Sequence, residues 1–317
     1  MKKFLSLIAL TLALAVLMMS GLIWYLICCP ANQFADTYQS VLQRKFDRLM
    51  ETDGPKIIFV GGSSAGFGLD EALLEEKTGY PVVNLGLHAG FGAIVHTSLS
   101  KANINEGDIV LLGYEWGWIG ETAFETLGTD LTMSAFDHRL DMYRWIPVEH
   151  YDKFLGYLFD HVDSKLNHAR ARGVYSSEAF DELGRMTWDR PNATMVYEGN
   201  ESKYGHINLE NASISQKTID YLTEYRAFVE SRGASVYFVC CPYYQGAMRS
   251  DEASATHIAQ LAEELIGIAY ISDPNAYAFP LEYMYDTIYH CNNLGERCRT
   301  ELLIQDLIRA GIIESAQ

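Results

Sequence analysis

Residues 4–29 run FLSLIALTLALAVLMMSGLIWYLICC without one charged position. At about 1.5 Å per residue this run outspans a hydrocarbon core of about 30 Å, so it predicts a membrane-spanning helix. A cleavable leader has an apolar stretch of only about 7–15 residues followed by a small-residue cleavage site, and neither fits here. LICC also lacks the small residues expected before a lipidated cysteine. Lys2 and Lys3 precede the run, and no base follows it until Arg44. The positive-inside rule then puts the N-terminus in the cytoplasm and the chain beyond about residue 30 outside, with Trp24 and Tyr25 at the outer interface.

Beyond this anchor the pattern becomes that of a globular domain. Residues 31–54 predict a juxtamembrane helix or linker. Short continuous apolar runs then alternate with helical patterns, the signature of parallel strands buried on both faces. Strands are expected at Ile57–Val60, Pro81–Leu85, Asp108–Leu112, Ser235–Cys240 and Ala269–Ser272. Helices are expected at Glu71–Thr78, Ile94–Ala102, Gln216–Ser231, Ala253–Leu265 and Gly295–Ala310. The fold class is therefore α/β, a doubly wound, mostly parallel five-stranded sheet of flavodoxin-like kind built from residues 55–117 and 213–317. Between the halves, residues 118–212 lose the strand rhythm and are rich in Tyr, Trp, His and Asp. They read as a partly helical cap over the carboxyl ends of the strands, where open α/β sheets bind ligands. Three N-x-S/T sequons, at Asn192, Asn200 and Asn211, lie in this insertion and suggest exposed loops.

Composition narrows the function. The chain of 317 residues carries a net charge of −17 and has no basic run after the first segment, which argues against nucleic acid as a partner. Of six cysteines, two lie in the span. Cys240 and Cys241 end an apolar run, the ordinary setting of buried thiols. Cys291 and Cys298, or Cys241 and Cys291, could also pair in an oxidising exterior, which sequence alone does not decide.

Three stretches stand at loop positions with the residue types of a reaction site: GGSSAGFG (61–68), NLGLHAGFG (84–92) and YDTIYHCNNLGERCRT (285–300). Asp286 and His290 could also ligate a metal, but neither an HExxH nor a paired-cysteine spacing supplies further ligands. Taken together, the three stretches resemble the SGNH/GDSL-type hydrolases. The likeness is greatest to the membrane-anchored extracytoplasmic branch that includes the D-alanyl transfer proteins of teichoic acid and the alginate acetylation proteins. Gly61-Gly62-Ser63 stands where that family has Gly-Asp-Ser, the Asn84-to-Gly90 stretch where it has its second glycine block, and Asp286 with His290 where it has Asp-x-x-His. The likeness covers most of 55–130 and 215–310 and leaves out the cap.

The resemblance implies a serine nucleophile, Ser63, a general base, His290, and an orienting carboxylate, Asp286. Ser64 is the rival nucleophile, or else a cap for the following helix. The Ser63 and Gly90 N–H groups and the Asn84 amide are the implied oxyanion donors. No metal or dissociable cofactor is required. Two departures stand out. Gly62 replaces the family's Asp, and Glu115 stands in the third block where the family has an Asn that donates to the oxyanion. An ionised carboxylate cannot donate. Either Glu115 binds substrate or an arginine, or the hole is rebuilt from Asn84 and backbone, or the site does not catalyse. The implied activity is that of an extracytoplasmic esterase or acyltransferase on cell-envelope glycans. Its partners would be envelope polysaccharide or an acylated carrier, and a membrane-bound acyl donor protein. A non-catalytic envelope protein of the same fold, binding glycan or a partner of the acylation machinery, is the alternative.

Overall fold

A computed structural model describes residues 1–314. β1 (Ile57–Gly61), β2 (Val82–Asn84), β3 (Ile109–Gly113) and β4 (Ser235–Phe238) form one sheet in the order β2-β1-β3-β4, with every pair parallel. Parallel neighbours require crossover connections, which here are helices covering both faces. All five positions of β1 and of β3 are buried, which explains why these strands appear in the sequence as unbroken apolar runs. The pleat sends Ile58, Val60, Val83, Val110 and Leu112 to one face, with Phe46, Val95, Leu99 and Leu222 in the same core. Ile57, Phe59, Val82, Ile109 and Leu111 go to the other face, with Leu74, Leu303 and Leu307.

The sheet has four strands, not the five that the sequence pattern suggests. Ala269–Ser272 makes a single parallel bridge, Tyr270 to Phe238, held by Phe238 N–H to the Ala269 carbonyl (2.9 Å) and Ile271 N–H to the Phe238 carbonyl (3.0 Å). Asp273 and Pro274 end the pairing. The Asp273 side chain accepts from Asn275 N–H, and the chain coils at once into a 3₁₀ turn with proline at its start. A separate two-residue parallel pairing joins Tyr243–Tyr244 to Ala278–Phe279.

In the region expected to be juxtamembrane, the helix Val41–Glu51 buries Val41, Leu42, Phe46 and Leu49, and Lys45 Nζ donates to the Asn84 carbonyl at 3.0 Å. Residues 118–212 give no strand to the sheet and form short helices and turns around one longer helix, Tyr151–Leu166. The N-terminal helix Lys2–Cys28 has a mean hydropathy of 2.4 over its best window and is long and apolar enough to cross a membrane. Among its residues only Ile27 is buried, and Ile23, Leu26 and Cys28 pack against the core. All six cysteines are unpaired.

Candidate active site

Ser63 opens a six-residue helix, Ser63–Gly68, directly off the carboxyl end of β1. As the first helical residue, its N–H has no acceptor within the helix. The two serines differ sharply in access. Ser63 is half-buried, whereas Ser64 is fully buried and its Oγ meets no partner. The N-cap is Gly62, which has no side chain to cap with, so Ser64 does not serve as the cap suggested by its position.

The Asp286–His290 segment is not helical. An antiparallel bridge between Met284 and Cys291 clasps it into a closed loop, with Tyr285 N–H donating to the His290 carbonyl at 2.8 Å. The loop brings its two ends together, and His290 Nδ1 lies 2.8 Å from Asp286 Oδ1. Tyr175, from the insertion, donates its hydroxyl to Asp286 Oδ2 at 2.5 Å and lies 3.3 Å from His290 Nδ1. Burial works to raise the Asp286 carboxyl. The hydrogen bond and charge of His290, with the Tyr175 hydroxyl, outweigh it and hold Asp286 below its ordinary range. Burial, then the Asp286 bond, push Tyr175 upward, so its hydroxyl stays protonated and donating.

Two contacts tie this pair to the serine helix. Phe67 lies one helical turn beyond Ser63, and its ring is flat against that of His290, 4.1 Å between centroids and 5° between planes. Arg190, also from the insertion and only 1% exposed, donates to the Phe67 carbonyl at 2.7 Å and to the Cys291 carbonyl at 2.9 Å. One guanidinium thus bonds the serine helix and the residue after His290 at once. Its other nitrogen pairs with Glu296 at 2.9 Å. His290 makes its ring hydrogen bonds through Nδ1, and none to Ser63 among the described residues.

The expected oxyanion donors fare differently. Asn84 is 2% exposed, and its amide nitrogen donates to the Ala65 carbonyl and to Glu71, each at 3.0 Å. Both protons are therefore spent on holding the β2 end to the serine helix, and Asn84 has none left for an oxyanion. The Gly90 N–H is likewise engaged, donating to His88 Nδ1 at 2.8 Å on the exposed side of its turn. Burial, with His290 nearby, lowers His88, which suits the neutral acceptor that this bond needs.

Glu115 reaches across from the end of β3, and its Oε1 accepts from Ser64 N–H at 2.7 Å. A Cβ on Gly62 would fall 2.2 Å from Glu115 Oε2. The Glu115 carboxylate thus fills the space beside Gly62, and a larger residue there would have to swing it off Ser64 N–H; the Gly62 φ of −92° is open to any residue. The two departures from the family pattern are one packing arrangement.

Beside this corner lies a cavity of about 230 Å³, walled by Gly62, Glu115, Ala93, Tyr114, Trp118 and His96. His96 is fully buried and finds no well-aligned partner for either ring nitrogen. Burial lowers it to about 3, so it is a neutral wall. Asp286 and His290 gather no third His, Cys, Asp or Glu into a metal-ligating group among the described residues. Tyr175 and Arg190 are the site residues that sequence reasoning missed, since both lie in the insertion, outside the recognisable blocks.

No family model matches the chain, and no curated protein matches it. Among solved structures it is similar to the crystal structure of the protein YxiM from Bacillus subtilis, at 13% identity and a TM-score of 0.37. The match covers 82% of this chain and 58% of that one, so the chain spans less than two thirds of that protein's length.

Proposed function

We propose that the protein is a membrane-anchored, extracytoplasmic serine esterase or acyltransferase of SGNH type, acting on acyl esters of cell-envelope glycans through an acyl-Ser63 intermediate. One observation carries this reading. His290 is held by Asp286 at Nδ1 (2.8 Å), has Nε2 free of protein partners among the described residues, and stacks on the helix that begins with Ser63. The strand order β2-β1-β3-β4 agrees with the first four strands of a flavodoxin-like sheet, with 55–117 and 213–317 as the domain and 118–212 as its cap.

In the proposed reaction Ser63 Oγ gives its proton to His290 Nε2 and attacks the ester carbonyl carbon. Asp286 stabilises the imidazolium and fixes the tautomer. The tetrahedral oxygen takes the Ser63 N–H, the leaving alcohol takes the proton from Nε2, and the carbon–oxygen bond to it breaks. Water or a sugar hydroxyl then reverses the sequence and releases Ser63. The 230 Å³ cavity at Gly62 and Glu115 adjoins the serine corner but is lined by neither Ser63 nor His290, so it leaves the size of the acyl group open. The apolar helix Lys2–Cys28 would keep the domain beside a substrate polymer made at the membrane.

A fluorophosphonate probe tests this. The wild type should label near neutral pH, and Ser63→Ala and His290→Ala should not. A second reading has support of its own. With Glu115 on Ser64 N–H, and with Asn84 and Gly90 engaged elsewhere, few oxyanion donors remain, as in a fold kept for binding glycan or a partner such as a membrane-bound acyl donor. A folded wild type that takes up no label would favour it.

A further inference from the structure

The helix Tyr151–Leu166 has one buried stripe and, beside it, an apolar stripe left largely exposed. Phe154, Leu158, His161 and Lys165 form the buried stripe. At about 100° per residue, Tyr151, Leu155, Phe159, Val162 and Leu166 fall within an arc of about 80° directly beside it. Leu155, Phe159 and Leu166 are 52%, 77% and 71% exposed, and Val148 just before the helix is 76% exposed. The rest of the circumference carries Asp152, Lys153, Asp160 and Asp163. An apolar strip this long left open to water marks an interaction surface.

Its neighbour indicates the occupant. Lys165, in the last turn of this helix, is paired with buried Asp137 and donates to the Ile27 carbonyl and, at 3.3 Å, to the Pro30 carbonyl. The stripe therefore begins where the apolar helix Lys2–Cys28 meets the domain. There Trp24 and Tyr25 are 54% and 58% exposed, the residue types that settle at a bilayer surface. Three aspartates against one lysine on the polar face offer no attraction to anionic headgroups, so the contact proposed is one of apolar insertion.

We propose that Tyr151, Leu155, Phe159, Val162 and Leu166 lie in the headgroup–acyl boundary of the leaflet from which the N-terminal helix emerges. The domain then has two membrane contacts and one fixed tilt instead of swinging on a tether. This rests on reading Lys2–Cys28 as a span.

The test uses the full chain, with Cys28, Cys29 and Cys298 changed to serine, in phosphatidylcholine vesicles. Nitroxides are placed at Phe159→Cys, Leu155→Cys, Lys153→Cys on the polar face and Leu14→Cys in the span. Collision with oxygen, which partitions into lipid, is compared with collision with a water-soluble nickel chelate. The expected result is that positions 155 and 159 favour oxygen, as position 14 does, while 153 favours nickel. Nickel access at 155 and 159 equal to that at 153, with 14 shielded, overturns the membrane contact alone. Nickel access at 14 as well overturns the span and the proposal with it.

Discussion

At the scale of single residues, the Gly62–Glu115 contact makes the strongest claim. Gly62→Asp places a Cβ 2.2 Å from the Glu115 carboxylate, which must swing off Ser64 N–H, and should destabilise by about 1–2 kcal/mol through that lost bond and charge repulsion. Glu115→Asn withdraws the acceptor from Ser64 N–H and should cost about 1–2 kcal/mol. Combined, the two changes restore an acid at one position and clear the space at the other. Thermal unfolding should show the double variant more stable than the sum of the singles by about 1 kcal/mol or more. Simple additivity would mean the two residues do not share the site. Asp286 gives a pH prediction. Its folded value lies below the ordinary 3.8, so its ionised form favours folding. That contribution is complete above 3.8 and is lost as pH falls through the lower folded value. The stability gap between wild type and Asp286→Asn should therefore be widest near neutrality and close in acid. A gap that widens on acidification would contradict the pairing. Sequence showed both Gly62 and Glu115 as departures but could not show that they are coupled, because the coupling is a contact between the ends of β1 and β3. Asn84 misled for a similar reason: its residue type suits a donor, but two buried acceptors claim its protons first.

At the scale of elements, the site depends on a clamp between two segments far apart in the chain. Arg190 holds Phe67 at one end and Cys291 at the other, so Arg190→Ala should release the serine helix from the His290 loop and leave the partly buried Glu296 without its partner. A loss of about 3 kcal/mol or more is expected in chemical denaturation. Arg190→Lys should recover little of it, because a single ammonium cannot span two carbonyls and a carboxylate as the planar fork does. Wild-type stability in Arg190→Ala would refute the clamp. The parallel strands were legible because burial on both faces forces continuous apolar runs, as in IIFVG and IVLLG. The fifth strand misread because Ala269–Ser272 has the same apolar character, while the decision to stop pairing lies in the Asp273-Pro274 turn that follows. Clamp and tyrosine escaped notice altogether. Arg190 and Tyr175 sit in irregular stretches without period, where a residue's partners are set by tertiary packing alone.

In the whole molecule, an apolar N-terminal helix, a parallel sheet and an insertion form one arrangement. The sheet ends present Ser63, the C-terminal loop brings Asp286 and His290, and the insertion supplies Tyr175 and Arg190 to hold them. Hydrophobicity made the N-terminal helix plain in the sequence, since 26 consecutive uncharged residues give a helix long and apolar enough to cross a membrane. The blocks around Ser63 and His290 were legible as residue types in chain order. That the helix opened by Ser63 packs on His290 through Phe67 was not, because it depends on the Met284–Cys291 bridge and on the flat packing of Phe67 against the imidazole; the reactive meeting of Ser63 with His290 is the proposal. Peptide mapping by mass spectrometry of the fluorophosphonate-treated full-length protein tests that meeting most directly. The account predicts a phosphonyl group on Ser63 Oγ and no adduct in His290→Ala. An adduct on Ser64 or elsewhere, or full labelling of Ser63 in folded His290→Ala, would contradict it.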